Sequence, residues 1–174
     1  MVRNAPRHTL LRRPQETGAV LLYRISKTKR IEDLSGEGAR LYGGRWNLKG
    51  TPVLYTSDST ALATLETLVH SPLHLMPSNC SIITLNLPDN LIVFNLSTQD
   101  LPTKWWINPA PPLLAKIGQQ WFQQQLSVAL VVPSSVTPSA EGRNYLLNPQ
   151  HPDFTQIEIV KVSQYDYDDR LFSI

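Results

Sequence analysis

Fourteen prolines are spread through 174 residues, and each one removes a backbone donor and fixes a dihedral. Regular elements between them have to be short, joined by long, stiff connections. Short apolar runs fall in the gaps at residues 19–25 (AVLLYRI), 53–56 (VLYT), 81–87 (SIITLNL), 91–96 (LIVFNL), 126–132 (LSVALVV) and 156–162 (QIEIVKV). Their length and content are those of strands. Two stretches carry helical periodicity instead. Residues 60–70, with Asp58 or Ser59 placed to cap them, put Ala61, Leu62, Leu65, Leu68 and Val69 on one face, and Glu66 at the edge of that face. The second helix opens at Pro111 or Pro112 and runs to about Gln125, with Leu114, Ile117 and Trp121 three and four apart. Residues 27–40 read as a loop, 102–112 as a proline-rich loop holding Trp105 and Trp106, and 138–152 as a long irregular segment. Without regular strand–helix alternation, the expected fold is α+β, a mainly antiparallel or mixed sheet flanked by helices.

A chain of this length can bury a core without staples, and with Cys80 as its one cysteine it has no intrachain disulfide framework. The pI of 8.8 suggests an anionic partner, but the charge is uneven. Residues 1–30 hold eight of the 16 basic residues against Glu16 alone, which leaves eight bases and 13 acids beyond them. A nucleic-acid-binding face would carry its bases on the folded core. Residues 1–17 are expected to be a flexible basic extension ahead of a single domain spanning 18–174. No run reaches about 18 apolar residues, so no membrane helix is expected. The leader also lacks the apolar stretch of about 7–15 residues that a secretory signal needs, which makes the cytoplasm the expected location.

Familiar chemical signatures are missing: there is no P-loop, GxGxxG, HExxH or GxSxG string. His70 and His74 are four apart, but Pro72 between them breaks the helix that would align them, so no metal site is expected. His8 lies in the leader. His151, between Pro149 and Pro152, reads as a loop-locking hydrogen-bonder, and Cys80 as a structural thiol. Arg24 is more telling, because a guanidinium inside an apolar strand needs a carboxylate or an anionic ligand. Glu66 on its helix edge is one candidate partner, and spacing alone leaves a structural Arg24–Glu66 ion pair and a catalytic pair equally open. Ser134 ends an apolar strand, and Tyr23, Tyr42 and Tyr55 stand beside turn or strand-end signals where a ring can line a cleft.

Several strings then resemble the RES domain, a family named for its Arg, Glu and Ser positions. They are LLYRI (21–25), DLSGEGARLYGGRWNLKGTPVLYTSDSTALATLETLVH (33–70), LVVPSSV (130–136), NYLLNPQHPDF (144–154) and YDYDDRLF (165–172). The resemblance spans about Val20 to Phe172. It implies an ADP-ribosyltransferase-like fold and the toxin half of a type II toxin–antitoxin pair. It further implies destruction of cellular NAD+ by hydrolysis or phosphorolysis, growth arrest, and in some members ADP-ribose transfer to a protein. Carried onto this chain, the family's Arg, Glu and Ser fall on Arg24, Glu66 and Ser134, while Arg45 and Tyr55 match positions lining the NAD+ cleft. Tyr23, Tyr42 and Asn144 complete the substrate-binding set. NAD+ is then a substrate, with no cofactor or metal. The implied partner is an Xre-like helix-turn-helix antitoxin covering the active site in a hetero-oligomer, without direct contact of the toxin with nucleic acid or membrane. PSAEGRN (138–144) is longer than the compact link expected there, which leaves the roles of Glu141 and Arg143 open.

These residue types suit the implied reaction. Cleaving the nicotinamide–ribose bond develops positive charge on the ribose, as glycoside hydrolysis does, and Glu66 is the carboxylate to stabilise it. Forked donors on Arg24 and Arg45 suit a pyrophosphate. Tyr55 or Tyr42 can stack on nicotinamide, and Ser134 can orient the ribose or Glu66 without acting as a nucleophile. The alternatives are a transferase with a protein acceptor in the same cleft and, from a different class, a nucleic-acid-binding or ribonuclease toxin, which the few bases of the core argue against.

Overall fold

The computed structural model describes residues 11–12, 19–70, 79–137 and 142–172. Among these residues eight strands form one sheet: β1 (Leu11–Arg12), β2 (Val20–Lys27), β3 (Leu54–Ser57), β4 (Cys80–Leu87), β5 (Val93–Leu96), β6 (Ala129–Pro133), β7 (Arg143–Leu147) and β8 (Glu158–Tyr165). Their order is β1-β5-β6-β7-β3-β2-β4-β8. Every pairing is antiparallel except β5 with β6. Among the described residues three α-helices accompany the sheet: α1 (Glu37–Tyr42), α2 (Thr60–His70) and α3 (Pro112–Gln124). The fold is α+β, as the sequence pattern predicts.

One face of the sheet carries a continuous core in which Leu22, Leu54, Ile83, Leu85, Leu87 and Leu147 meet Ile31 and Ile157. The other face is divided. Leu130, Val132 and Leu146 pack under Trp46, Trp105 and the α3 residues Leu114, Trp121 and Phe122, while Ile25, Cys80 and Ile82 pack under Ala63 of α2. A gap in the sheet lies beneath that division. Strands β2 and β3 pair at Tyr23↔Ser57 alone, so Arg24 and Ile25 separate from Thr56 and Tyr55 where a ladder would otherwise continue.

Three sequence expectations change in the structure, and the aromatic loop gains a detail the sequence left open. Residues 27–40 are not all loop: α1 starts at Glu37, with Gly36 at φ +71° before it and the Ser35 hydroxyl accepting from the Glu37 N–H. An Arg40–Glu37 contact of 2.6 Å ties its single turn and a half. The segment read as irregular over 138–152 contains β7, paired on both sides with β3 and β6. Leu146 and Leu147 are both fully buried, since a central strand covered on both faces shows no alternation. Helix α2 has the predicted bounds but is turned from its predicted face: Leu62 and Ala63 are buried, whereas Leu65 and Val69 are exposed. Finally, the aromatic loop splits its two tryptophans, with Trp105 in the core and Trp106 exposed.

Local details hold the cleft walls in place. Ser59, rather than Asp58, caps α2, its hydroxyl accepting from the Leu62 N–H. Asp58 instead accepts from the Arg143 N–H, tying the start of α2 to β7. At Gly118 of α3 an added Cβ would lie 1.7 Å from the Trp46 carbonyl oxygen, so the helix backbone rests directly on the chain that carries Arg45. His151 locks its loop as expected, accepting from the Asp153 N–H and lying 3.2 Å from the Gln125 carbonyl. Cys80 is a buried thiol at the start of β4. The leader expectation falls outside the described residues apart from β1, and so do His8, His74, Pro72 and Glu141.

Candidate active site

A cavity of about 350 Å³ opens where β2 and β3 part. Its walls include Tyr23, Arg24, Arg45, Tyr55, Glu66 and Asn144. The α2 face turned into it is Ala63, Glu66, Thr67 and His70, spaced three and four apart. That polar face explains the rotation of α2: the side facing inward is the cleft side, not the most apolar one.

Glu66 is held from several elements. Its Oε1 accepts from the Ser134 hydroxyl at 2.8 Å and from the Asn144 amide at 2.5 Å. The Asn144 amide is oriented in turn, because its oxygen accepts from the Ser57 hydroxyl at 2.8 Å. Ser134 is fully buried at the end of β6 and accepts from the Val136 and Thr137 N–H groups at 3.1 and 3.4 Å. It lies behind the cavity wall, where its neighbour Ser135 stands, so it is a residue that positions Glu66. Among the described residues no hydrogen bond reaches Glu66 Oε2. One carboxylate oxygen is fixed and the other is available to the cleft.

Helix α2 is also braced from outside. The Tyr165 and Thr64 hydroxyls are 2.5 Å apart. Because the Thr64 hydrogen is already donated to the Thr60 carbonyl, Tyr165 is the donor. The Tyr165 ring meets Tyr167 edge-on at 5.0 Å.

The arginines are held differently. Arg24 forms no ion pair with Glu66: among the described residues its hydrogen bond is a 3.4 Å contact from Nη1 to the Ile31 carbonyl. Burial pushes its guanidinium below the ordinary value, and the charge of Asp33 partly offsets that. A desolvated cation without a directly bonded carboxylate is a site for an anion. Arg45 donates to the carbonyls of Trp105 and Ile107 at 2.9 and 3.1 Å. Burial lowers its value too, with Glu66 and Tyr55 acting against the shift. Two of its five donors are thus engaged, and the rest remain for a ligand.

Tyr55 contributes its ring rather than its hydroxyl. That hydroxyl donates to Asn47 Oδ1 at 2.8 Å and accepts from the Trp46 N–H at 3.2 Å, and burial raises it above the usual phenol range. Tyr23 lines the cavity. Tyr42 does not: it is the last residue of α1 and 77% exposed, although Ala39 and Gly43 on either side of it line the cavity. Asn47 and Ser57 are additions that the sequence alone did not single out. The Asn47 side chain donates to the Ala39, Leu48 and Thr51 carbonyls, and its place in the GGRWN turn was the available signal. Ser57 gave none, since its role exists only once β7 is recognised as a strand beside β3.

A fixed carboxylate facing two guanidinium groups across a small cavity can bind an anionic ligand and stabilise positive charge beside it. Among the described residues no group of three His, Cys, Asp or Glu side chains could hold a metal ion, and no helix is long and apolar enough to cross a membrane.

Known proteins share this architecture and sequence. A chain of the M. tuberculosis MbcT–MbcA toxin–antitoxin complex superposes with a TM-score of 0.70 at 20% identity, covering 89% of this chain and 87% of that one. The Prs ADP-ribosylating toxin of Sphingobium sp. is 38% identical over 148 residues, 84% of this chain and 91% of the relative. Toxin Res of Yersinia enterocolitica is 38% identical over 154 residues, 87% and 99% of the two chains. The RES domain profile matches residues 21–169, and on that extent of agreement the chain belongs to the RES domain family.

Proposed function

We propose that this protein is the toxin of a toxin–antitoxin pair and that it cleaves the nicotinamide–ribose bond of NAD+, lowering the cytoplasmic pool and arresting growth. The observation that carries this reading is the cavity-lining Glu66 carboxylate, held at Oε1 by Ser134 and Asn144 and with no hydrogen bond to Oε2 among the described residues. An oxyanion fixed in that way stabilises an oxocarbenium-like ribose without reorganising during the reaction. Arg24, with the free donors of Arg45, takes the pyrophosphate. The rings of Tyr23 and Tyr55 flank the nicotinamide, which leaves as a neutral group and needs no strong acid. A cavity of about 350 Å³ suits the nicotinamide riboside end, with the adenosine end lying across the rim.

Replacing Glu66 with Gln keeps the side-chain shape and removes the charge. Nicotinamide release from NAD+ by the purified protein is expected to fall about 10²–10³-fold, and wild-type release by that variant would refute the mechanism. A second reading, ADP-ribose transfer to a protein, is favoured by the 38% identity to an ADP-ribosylating toxin. Product analysis separates the possibilities: free ADP-ribose marks hydrolysis, ADP-ribose-1″-phosphate marks phosphorolysis, and a mass increase on a protein marks transfer.

The partner in this reading is an Xre-like helix-turn-helix antitoxin that covers the cleft, supported by a structural neighbour drawn from a toxin–antitoxin complex. Residues 18–174 are proposed to be the catalytic domain, preceded by an extension that lends Leu11–Arg12 to its sheet as the edge strand β1. Residues 21–169, the segment matched by the family profile, are consistent with that boundary.

A further inference from the structure

We infer that His70 is the general base that activates a neutral hydroxyl acceptor, water or a protein side chain, at this cleft. The inference rests on NAD+ cleavage at Glu66 and adds to it a route for the proton of the attacking group. His70 is the last residue of α2 and lines the same cavity as Glu66, one helical turn further along the same face. Its Nδ1 lies 2.8 Å from the Glu66 backbone carbonyl. A carbonyl only accepts, so Nδ1 carries the hydrogen and the neutral ring presents a lone pair at Nε2. Among the described residues nothing hydrogen-bonds Nε2, and the residue is exposed at the cavity mouth, where a proton can leave to solvent.

The other groups facing this space are unsuited to the task. Glu66, on the same helix, must remain an anion beside the developing cation. Arg24 from β2 and Arg45 from the segment after α1 only donate, and Tyr55 from β3 has its hydroxyl committed to Asn47 and Trp46. Tyr23 from β2 contributes its ring to the cavity wall. An imidazole is the side chain most often used to take up and pass on a proton.

The step balances as follows. The acceptor oxygen forms a bond to the ribose C1 that bears nicotinamide, and the C–N bond breaks with its electron pair passing to the nicotinamide nitrogen. The acceptor's proton moves to Nε2, and the resulting imidazolium returns it to water. Inorganic phosphate is already anionic and attacks without losing a proton to a base. His70 therefore bears on which acceptor is used, not on cleavage as such.

The test compares the full-length wild type with His70→Gln, following nicotinamide release from NAD+ between pH 5 and 8.5, with and without inorganic phosphate, and identifying the products. Wild-type hydrolysis is expected to rise with pH over this range, because a general base works only in its unprotonated form. In His70→Gln that limb should vanish and hydrolysis should fall about 10²-fold, with KM for NAD+ unchanged. Any ADP-ribose-1″-phosphate formed should stay within about threefold of wild type, since phosphate attacks without general-base help, and added imidazole should restore part of the hydrolysis. Retention of the pH limb in His70→Gln, or a change confined to KM, would overturn the inference while leaving NAD+ cleavage standing. Absence of nicotinamide release by the wild type would remove NAD+ cleavage itself, and the role of His70 with it.

Discussion

The two charged halves of the cleft are built to different standards. On the acidic side, Glu66 is tied to β6 through Ser134, to β7 through Asn144 and, beyond it, to β3 through Ser57. On the basic side, Arg24 has one long contact to a carbonyl. The carboxylate is finished before any ligand arrives, whereas the guanidinium awaits a partner. The contrast suits the reaction proposed above, in which stabilising a transient charge would require a fixed dipole and gripping a ligand would require unspent donors.

The sharpest way to break the contrast is to loosen the acidic side. Ser134→Ala should lower nicotinamide release about tenfold to a hundredfold, because Glu66 Oε1 loses a fixed donor while the charge remains. The same change strands the Val136 and Thr137 N–H groups and should cost about 1–3 kcal/mol of stability, read by denaturant unfolding. Full activity in a destabilised Ser134→Ala protein would show that Glu66 does not depend on its fastening.

Arg24→Lys probes the other half. It preserves charge but not the fork, so KM for NAD+ should rise about tenfold, the loss of roughly one charge-assisted hydrogen bond. Stability should scarcely move, and a melting transition shifted as far as that of Ser134→Ala would mean that Arg24 is structural after all. The smallest effect is expected from Tyr165→Phe. It removes one hydroxyl contact behind α2 and should cost about 0.5–1.5 kcal/mol. Any loss of activity should be smaller than that of Ser134→Ala, since the brace acts on the helix and not on the carboxylate.

The same contrast separates what the sequence reveals from what it hides. The strand around Arg24 and the helix bearing Glu66 are legible, because apolar runs and helical periodicity are local signals. Their relation is not: Arg24 and Glu66 face one cavity without pairing, and only the parting of β2 from β3 explains that. The orientation of α2 is hidden for a related reason. Periodicity selects the most apolar face, but the cleft draws in Glu66, Thr67 and His70 and leaves Val69 at 59% exposure. Strand β7 is obscured by burial on both faces, and with it the partnership of Asn144 and Ser57. Tyr42 is the reverse case: Ala39 and Gly43 beside it line the cavity, but its own side chain is 77% exposed, which its position next to glycines does not reveal.

Gly118 gives the basic side a stiffness that its sparse hydrogen bonds do not. Where a helix meets its neighbour through side chains, rotamer changes absorb small displacements. Here the α3 backbone abuts the Trp46 carbonyl with no side chain between them, and Arg45, the next residue along, spans to the Trp105 and Ile107 carbonyls. A side chain added at Gly118 would therefore have to displace the Trp46 backbone, and with it the Arg45 anchor at the cleft rim, rather than merely shift a rotamer.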